Sequence, residues 1–332
     1  MRELLRCLGL VLLMLSASAA GQELKLATLA PDGSSWMNEL RAAAGEVERE
    51  TEGRVRVRFY PGGVMGDAAT VMRRMRVGQL QGGAFAMSDL ASVSAETQLY
   101  GQPFLFHDEE EFLAVREAFD PLILEALSAG GLVAPAISAG GFAYLFSRHP
   151  IPEPDRTGTD FRVWVTPGDL PARRVLEAAG VSPVPLSLAE VYTALQTGTL
   201  NTFASTPAGA IILQWHTRAR YLLDLPVVMT AGTVAFDQRA INRLSDPDRV
   251  VVKDAFGQAL KRLEQGNRAE NEQARAALAG QGIEITAPSP AQAEGWRVLA
   301  DQVRGELVAE GRLSLDHLEA LSLELEALRN AQ

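Results

Sequence analysis

Arg162 and Trp164 stand two residues apart in the run Phe161–Val165, where Phe161, Val163 and Val165 alternate with them. A period of two puts the three apolar side chains on one face of a strand and the guanidinium with the indole on the other. A cation in an otherwise apolar strand needs an anionic partner, because burying it unpaired is costly. That partner is either a neighbouring Asp or Glu or the carboxylate of a ligand, which a guanidinium meets with two parallel donors. The reading taken from the sequence is the ligand. Little else in the chain suggests reaction chemistry. No two of His107, His149, His216 and His317 have metal-ligand spacing, and Cys7 is the one cysteine. No G-x-S-x-G, P-loop or dinucleotide fingerprint occurs, and no nucleophile has a base beside it. Gly62-Gly63 reads as a turn, not a phosphate cradle. The inventory points to binding and not to catalysis, with no metal and no cofactor.

The elements that must position these residues alternate between strand and helix. Leu24–Leu29 reads as a first strand. Trp36, Leu40, Ala43, Ala44 and Val47 repeat at three and four, giving a helix from about residue 35 to 51. Arg54–Tyr60 alternates arginines with Val55, Val57 and Phe59, a strand with one solvated face. Asp67 caps a helix running to about Val77, and Gly82–Met87 is a buried strand. Glu109–Ala129 is a long helix whose Glu109, Glu110 and Glu111 complement its dipole. Leu132–Ser138 and Phe142–Ser147 are expected as two strands, with the chain crossing between lobes from one to the other. After Arg162 come two helical segments, the second opened by a capping box of Ser187 and Glu190. Ser245-Asp246-Pro247-Asp248 starts a helix reaching about Leu278, long enough to span two lobes. Helices near 290–310 and 314–330 close the chain, the last expected to pack on the second lobe. Such alternation calls for open α/β sheets.

The chain has 332 residues, 47% hydrophobic and 22% charged, with a net charge of −10, so it is an ordinary globular protein that repels phosphate backbones. Nucleic acid is therefore not expected as a partner. Arg2 and Arg6, the apolar run Leu8–Leu15 and Ala17-Ser18-Ala19 have the form of a secretory signal peptide cut after Ala19 or Ala20. The apolar run is shorter than the roughly 20 residues of a membrane span. Cleavage would remove Cys7 and take the net charge to −11. The mature protein is expected to be periplasmic, not membrane-embedded, and held together without disulfides.

The arginine–valine pair in a short strand, followed by the run Glu190–Gly198, EVYTALQTG, resembles the substrate-binding proteins of TRAP transporters, the DctP type. The turn Tyr60-Pro61-Gly62, the pair Gly66-Asp67 and the segment Pro103-Phe104-Leu105-Phe106 extend the resemblance from about residue 23 to 260. It implies a two-lobed, type II-like periplasmic binding protein of two α/β domains joined by hinge strands and a long helix. The lobes are expected at residues 21–140 with 230–270, and at 141–229 with 271–332. It also implies a small organic acid held in the cleft, with Arg162 on its carboxylate, and delivery to a permease of one small and one large membrane subunit.

Departures from the family bear on the ligand. Thr206 stands where many members have an asparagine, and Trp164 replaces a small residue or proline. The strand expected at Phe142–Ser147 lacks a second basic contact. The expected solute is thus a monocarboxylate with an apolar body. Arg162 and Thr206 would hold it, and Trp36, Met87, Phe142, Tyr144, Trp164, Leu188, Phe203 and Trp215 would wall it, although each aromatic also reads as core packing. Other readings are a C4-dicarboxylate binder, a ligand sensor that docks on a signalling partner, or a secreted hydrolase.

Overall fold

A 17-residue strand, Tyr221–Asp237, runs through the whole molecule and ties its two halves into one sheet. The computed structural model describes residues 21–154 and 160–331, so the signal-peptide expectation falls outside the described residues. Among the described residues ten strands form the sheet, ordered β2-β1-β3-β9-β5-β8-β6-β7, where β9 is the strand Tyr221–Asp237; β4 and β10 (Glu284–Thr286) also pair with β9. In the first lobe β1 (Gln22–Thr28) lies parallel to β2 (Val55–Tyr60) and β3 (Gly82–Ala86). Helices α1 (Ser35–Glu50) and α2 (Ala68–Arg76) make the connections. In the second lobe β6 (Arg162–Val165) is parallel to β7 (Ser182–Pro185) and β8 (Thr202–Ser205). There the connections are α4 (Leu170–Ala178) and α5 (Leu188–Thr197). The α/β, two-lobed architecture is the one expected.

The pleat sorts side chains onto opposite sides of the sheet, so each lobe has two cores. Leu24 and Leu26 of β1 point to Leu40, Phe236 and Phe256, while Ala27 faces Met75 and Phe85. In β6, Val163 and Val165 pack with Val175 and Trp296, while Trp164 turns to the other side with Phe203 and Trp215. The alternation read from the sequence is therefore the alternation of the fold.

The lobe crossing differs from expectation. β4 is only Leu132–Val133, and β5 (Ser138–Ser147) is itself a crossing strand, pairing with β9 along its length. Its register shifts between Ala139 and Gly141. Gly141 has φ +95°, and a Cβ there would lie 2.5 Å from the Asn271 amide. Only glycine fits such a position. The 35-residue helix α8 (Asp246–Gly280) fastens this bulge. Its Asn267 and Asn271 amides donate to the carbonyls of Ala139 and Gly140 at 2.6 and 2.9 Å.

The last helix, α10 (Leu315–Ala331), also departs from expectation. Leu321 and Leu325 enter the first-lobe core with Phe112 and Val115 of α3 (Glu109–Ala129), not the second lobe. Its neighbour α9 (Pro290–Ala309) does pack on the second lobe, through Trp296, Val303 and Leu307. No helix among the described residues is long and apolar enough to cross a membrane.

Candidate functional site

In parallel sheets, ligands meet the chain just beyond the carboxyl ends of the strands, where the following helices present their amino termini. Those ends converge here from both lobes. Thr28–Pro31 follows β1, Ala86–Asp89 follows β3, Thr166–Asp169 follows β6, and Ser187 and Leu188 lie past β7. Thr206 follows β8 and caps α6 (Pro207–Ile212), its Oγ1 accepting from the Gly209 amide at 3.1 Å. They enclose two adjoining cavities. The outer one is about 410 Å³ and the inner about 320 Å³. Trp164, Thr166, Leu188, Thr206, Leu213 and Thr230 border both. A larger groove, about 1490 Å³, runs between α3 and α8 and shares no residue with them.

Trp164 is the partition. Its indole N–H donates to the Leu186 carbonyl at 2.8 Å, and its ring meets Trp215 edge to face, 5.0 Å between centroids. Trp215 and Met87 line the inner cavity and Trp36 the outer one. Six of the residues singled out from the sequence thus come together: Trp36, Met87, Trp164, Leu188, Thr206 and Trp215.

Four do not. Arg162 borders neither cavity; its Nε and Nη2 donate to the Gly198 carbonyl at 3.3 and 3.0 Å, and its backbone N–H donates to Asn201. It lies on the same face as Trp164 but two residues, roughly 6.6 Å, back toward the start of the strand. The guanidinium expected to clamp a carboxylate thus meets a main-chain carbonyl beside the start of β6. Phe203 is wholly buried and stacks on Phe146 at 5.1 Å, a core residue. Tyr144 lies under the Arg275 guanidinium, and Phe142 packs against the first-lobe core.

The sequence reading missed the polar lining. Ser88, Asp89, Thr166 and Asp169 follow strand ends, and Asn267, Glu270 and Asn271 come from the middle of α8. The position just past each parallel strand was the available signal for the first group. Asp169 caps α4 through the Ala172 amide at 3.1 Å, and Asp89 accepts from the Ala86 amide at 3.1 Å. Burial pushes both carboxyls up, each to about 6. The folded protein therefore holds protons that the unfolded chain, at the ordinary 3.8, has released. Their contribution to stability falls as pH rises from about 4 to 6, by about 1–2 kcal/mol per group after allowing for partial exposure. Asp169→Asn keeps the cap. It should raise the melting temperature at pH 7 and flatten the pH dependence between 4 and 6; thermal melts across that range that superimpose on wild type would refute this.

Comparison with known proteins agrees with the geometry. The family model of bacterial extracellular solute-binding proteins, family 7 (DctP), matches residues 26–310. A solute-binding protein of Chromohalobacter salexigens is 24% identical over 230 residues, 67% of this chain and 66% of the relative, slightly under two thirds of its length. Among solved structures, the sugar acid binding protein DctPAm of Advenella mimigardefordensis with galactonate superimposes with TM-score 0.85. It is 19% identical, over 92% of this chain and 98% of that one. A TRAP periplasmic solute-binding protein of Xanthobacter autotrophicus Py2 with bound β-D-galacturonate gives 0.83 at 16% identity, over 92% and 99%. These relatives are solute-binding or sugar acid binding proteins. With the match covering most of its length and the cleft at the strand ends, the chain belongs to the DctP family of TRAP transporter solute-binding proteins.

Proposed function

We propose that this protein captures a carboxylate-bearing organic solute with an apolar body in the periplasm and delivers it to a TRAP permease of one small and one large membrane subunit. The observation that carries the reading is the cavity walled from both lobes, by Trp36 of the first and Trp164 of the second. Both lobes contact one occupant, so occupancy favours the closed arrangement of the lobes over the open one. The solved relatives named above hold galactonate and galacturonate. Those hydroxyl-rich acids suit a polar site, whereas Trp164, Trp215, Leu188, Leu213, Met87 and Phe104 make the inner cavity here mainly apolar. Burial of an apolar body is worth about 25 cal/mol per Å².

The acid group would not be held by a guanidinium. Among the described residues lining either cavity there is no Lys, Arg or His. What remains to receive an anion is the first turn of α5 at Leu188, with the positive end of that helix dipole, and the Thr206 hydroxyl proton, since the Ala208 and Gly209 amides of α6 are already bonded.

Calorimetry with 3-phenylpropionate, succinate and D-galactonate tests the reading. The first should bind, succinate should not, and galactonate should be weaker than 3-phenylpropionate. Arg162→Ala should leave the affinity within about twofold of wild type. Tight succinate binding, or a large loss in Arg162→Ala, would end this reading.

A further inference from the structure

We infer that the end of the solute that reaches α1 and α8 carries a proton-donating group, an ammonium above all, so that the solute is an apolar-bodied zwitterion such as an amino acid with a large hydrophobic side chain. This rests on the proposed function for the place of binding, and adds which chemistry that place accepts.

The outer cavity has a directional polarity. Asp67, Asp89 and Glu270 line it, with the side chains of Asn267 and Asn271. Away from the cavities several buried or partly buried acids are matched to guanidinium groups: Glu111 to Arg329, Asp248 to Arg54, Glu264 to Arg116. Among the described residues none of the three cavity acids has a cation within ion-pair distance; the exposed Asp67, held below its ordinary value by the Thr70 hydrogen bonds, feels only the more distant Arg73 guanidinium. Asp67 accepts from the Thr70 amide at 2.8 Å and Asp89 from the Ala86 amide. Glu270 accepts from the Ser35 hydroxyl at 2.9 and 3.2 Å. A carboxylate offers about four acceptor positions, so each acid keeps spare capacity facing the cavity.

The neighbouring amides supply no counterweight. The Asn267 and Asn271 NH₂ groups each commit one of their two N–H bonds to a carbonyl of the β5 bulge, and the Asn271 oxygen accepts from the Ala208 amide, so at most one donor per amide is left against three carboxylates. This wall therefore offers acceptors with few free donors. An incoming anion would meet like charge there, and an incoming ammonium would meet opposite charge and the nearby Trp36 ring. A metal ion is a poor alternative occupant, because no three acidic or histidine groups among the described residues converge to hold one. The cavity itself is fixed by the strand ends and the two tryptophans. The acids decide only the sign and hydrogen-bonding sense of what enters it.

The test is calorimetry on the full mature protein with L-phenylalanine, 3-phenylpropionate, which lacks the ammonium, and phenethylamine, which lacks the carboxylate. L-Phenylalanine should bind at least tenfold more tightly than 3-phenylpropionate. Glu270→Gln should remove that preference by weakening L-phenylalanine while leaving 3-phenylpropionate nearly unchanged. Equal or tighter binding of 3-phenylpropionate by the wild-type protein overturns the inference and leaves the proposed function standing. Phenethylamine binding as tightly as L-phenylalanine supports the inference and removes the carboxylate from the proposed function. Failure of all three to bind overturns both. Because the wild-type comparison decides the matter, the test survives even if Glu270→Gln folds poorly.

Discussion

Truncating Trp164 to alanine is expected to weaken solute binding about 100-fold or more while leaving a folded protein. The indole is the largest of the side chains that border both cavities, so it walls a solute in each of them. Removing it deletes the apolar wall and the edge-to-face contact with Trp215, and leaves the Leu186 carbonyl without its donor. Central aromatic anchors of this kind cost about 2–4 kcal/mol when truncated, and each 1.4 kcal/mol is a factor of ten in affinity. Trp164→Phe keeps most of the wall and loses only the hydrogen bond to Leu186. It should fall within about tenfold of wild type. The measurement is isothermal titration with 3-phenylpropionate for all three proteins, with a thermal melt to confirm folding. Wild-type affinity in the alanine variant would mean that the solute sits elsewhere, and the cleft assignment would fail with it.

How far the sequence could lead to this residue is instructive. Alternation in Phe161–Val165 placed Arg162 and Trp164 on one face, and the structure has them there. A period of two identifies a face; it says nothing about which rung of the strand reaches the ligand. That depends on the strand's direction and on where its parallel neighbours stop, which are properties of the assembled sheet. Arg162 begins β6 and Trp164 stands one residue before its end, so the indole and not the guanidinium borders the cavities. Caps were legible for a complementary reason. Asp67 with Thr70, and Ser187 with Glu190, act within three residues, so local sequence contains the whole interaction. The Ser35–Glu270 contact spans 235 positions and left no local trace. The expected strands at 132–138 and 142–147 leave out Gly140-Gly141, which in the sheet is a bulge held by Thr230 of β9 and by α8, more than a hundred residues on.

The docking of the final helix rests on a pair that local reading explained too cheaply. Glu111 complements the dipole of α3, as its position in the first turn suggests, but its side chain is only 3% exposed and does more than that. Its two oxygens take Nε and Nη2 of Arg329 at 2.7 and 2.9 Å, and one also accepts the His107 amide at 2.8 Å. Arg329 in turn donates to the Leu105 carbonyl, so α10 is tied to α3 and to the segment leading into it. Burial alone would push the Glu111 carboxyl up. The Arg329 guanidinium and the His107 amide outweigh it and hold the group below its ordinary 4.5. Arg329→Ala leaves that carboxylate buried without its guanidinium, with only the His107 amide and ring beside it. The expected loss is about 3 kcal/mol, near the lower bound for breaking a buried pair because Arg329 is partly exposed, or about 5 °C in melting temperature for a protein of this size. Glu111→Gln added to Arg329→Ala should recover part of the loss, because the stranded charge is gone. A depressed carboxyl stabilises fully above its unfolded value and loses that contribution as pH falls through the folded one. The melting curves of wild type and Arg329→Ala should therefore differ most above pH 5 and approach each other toward pH 3. A gap that stays constant over this range would show that α10 is held by Leu321 and Leu325 and not by the ion pair. Solute affinity should be unaffected throughout, since neither residue borders the cleft.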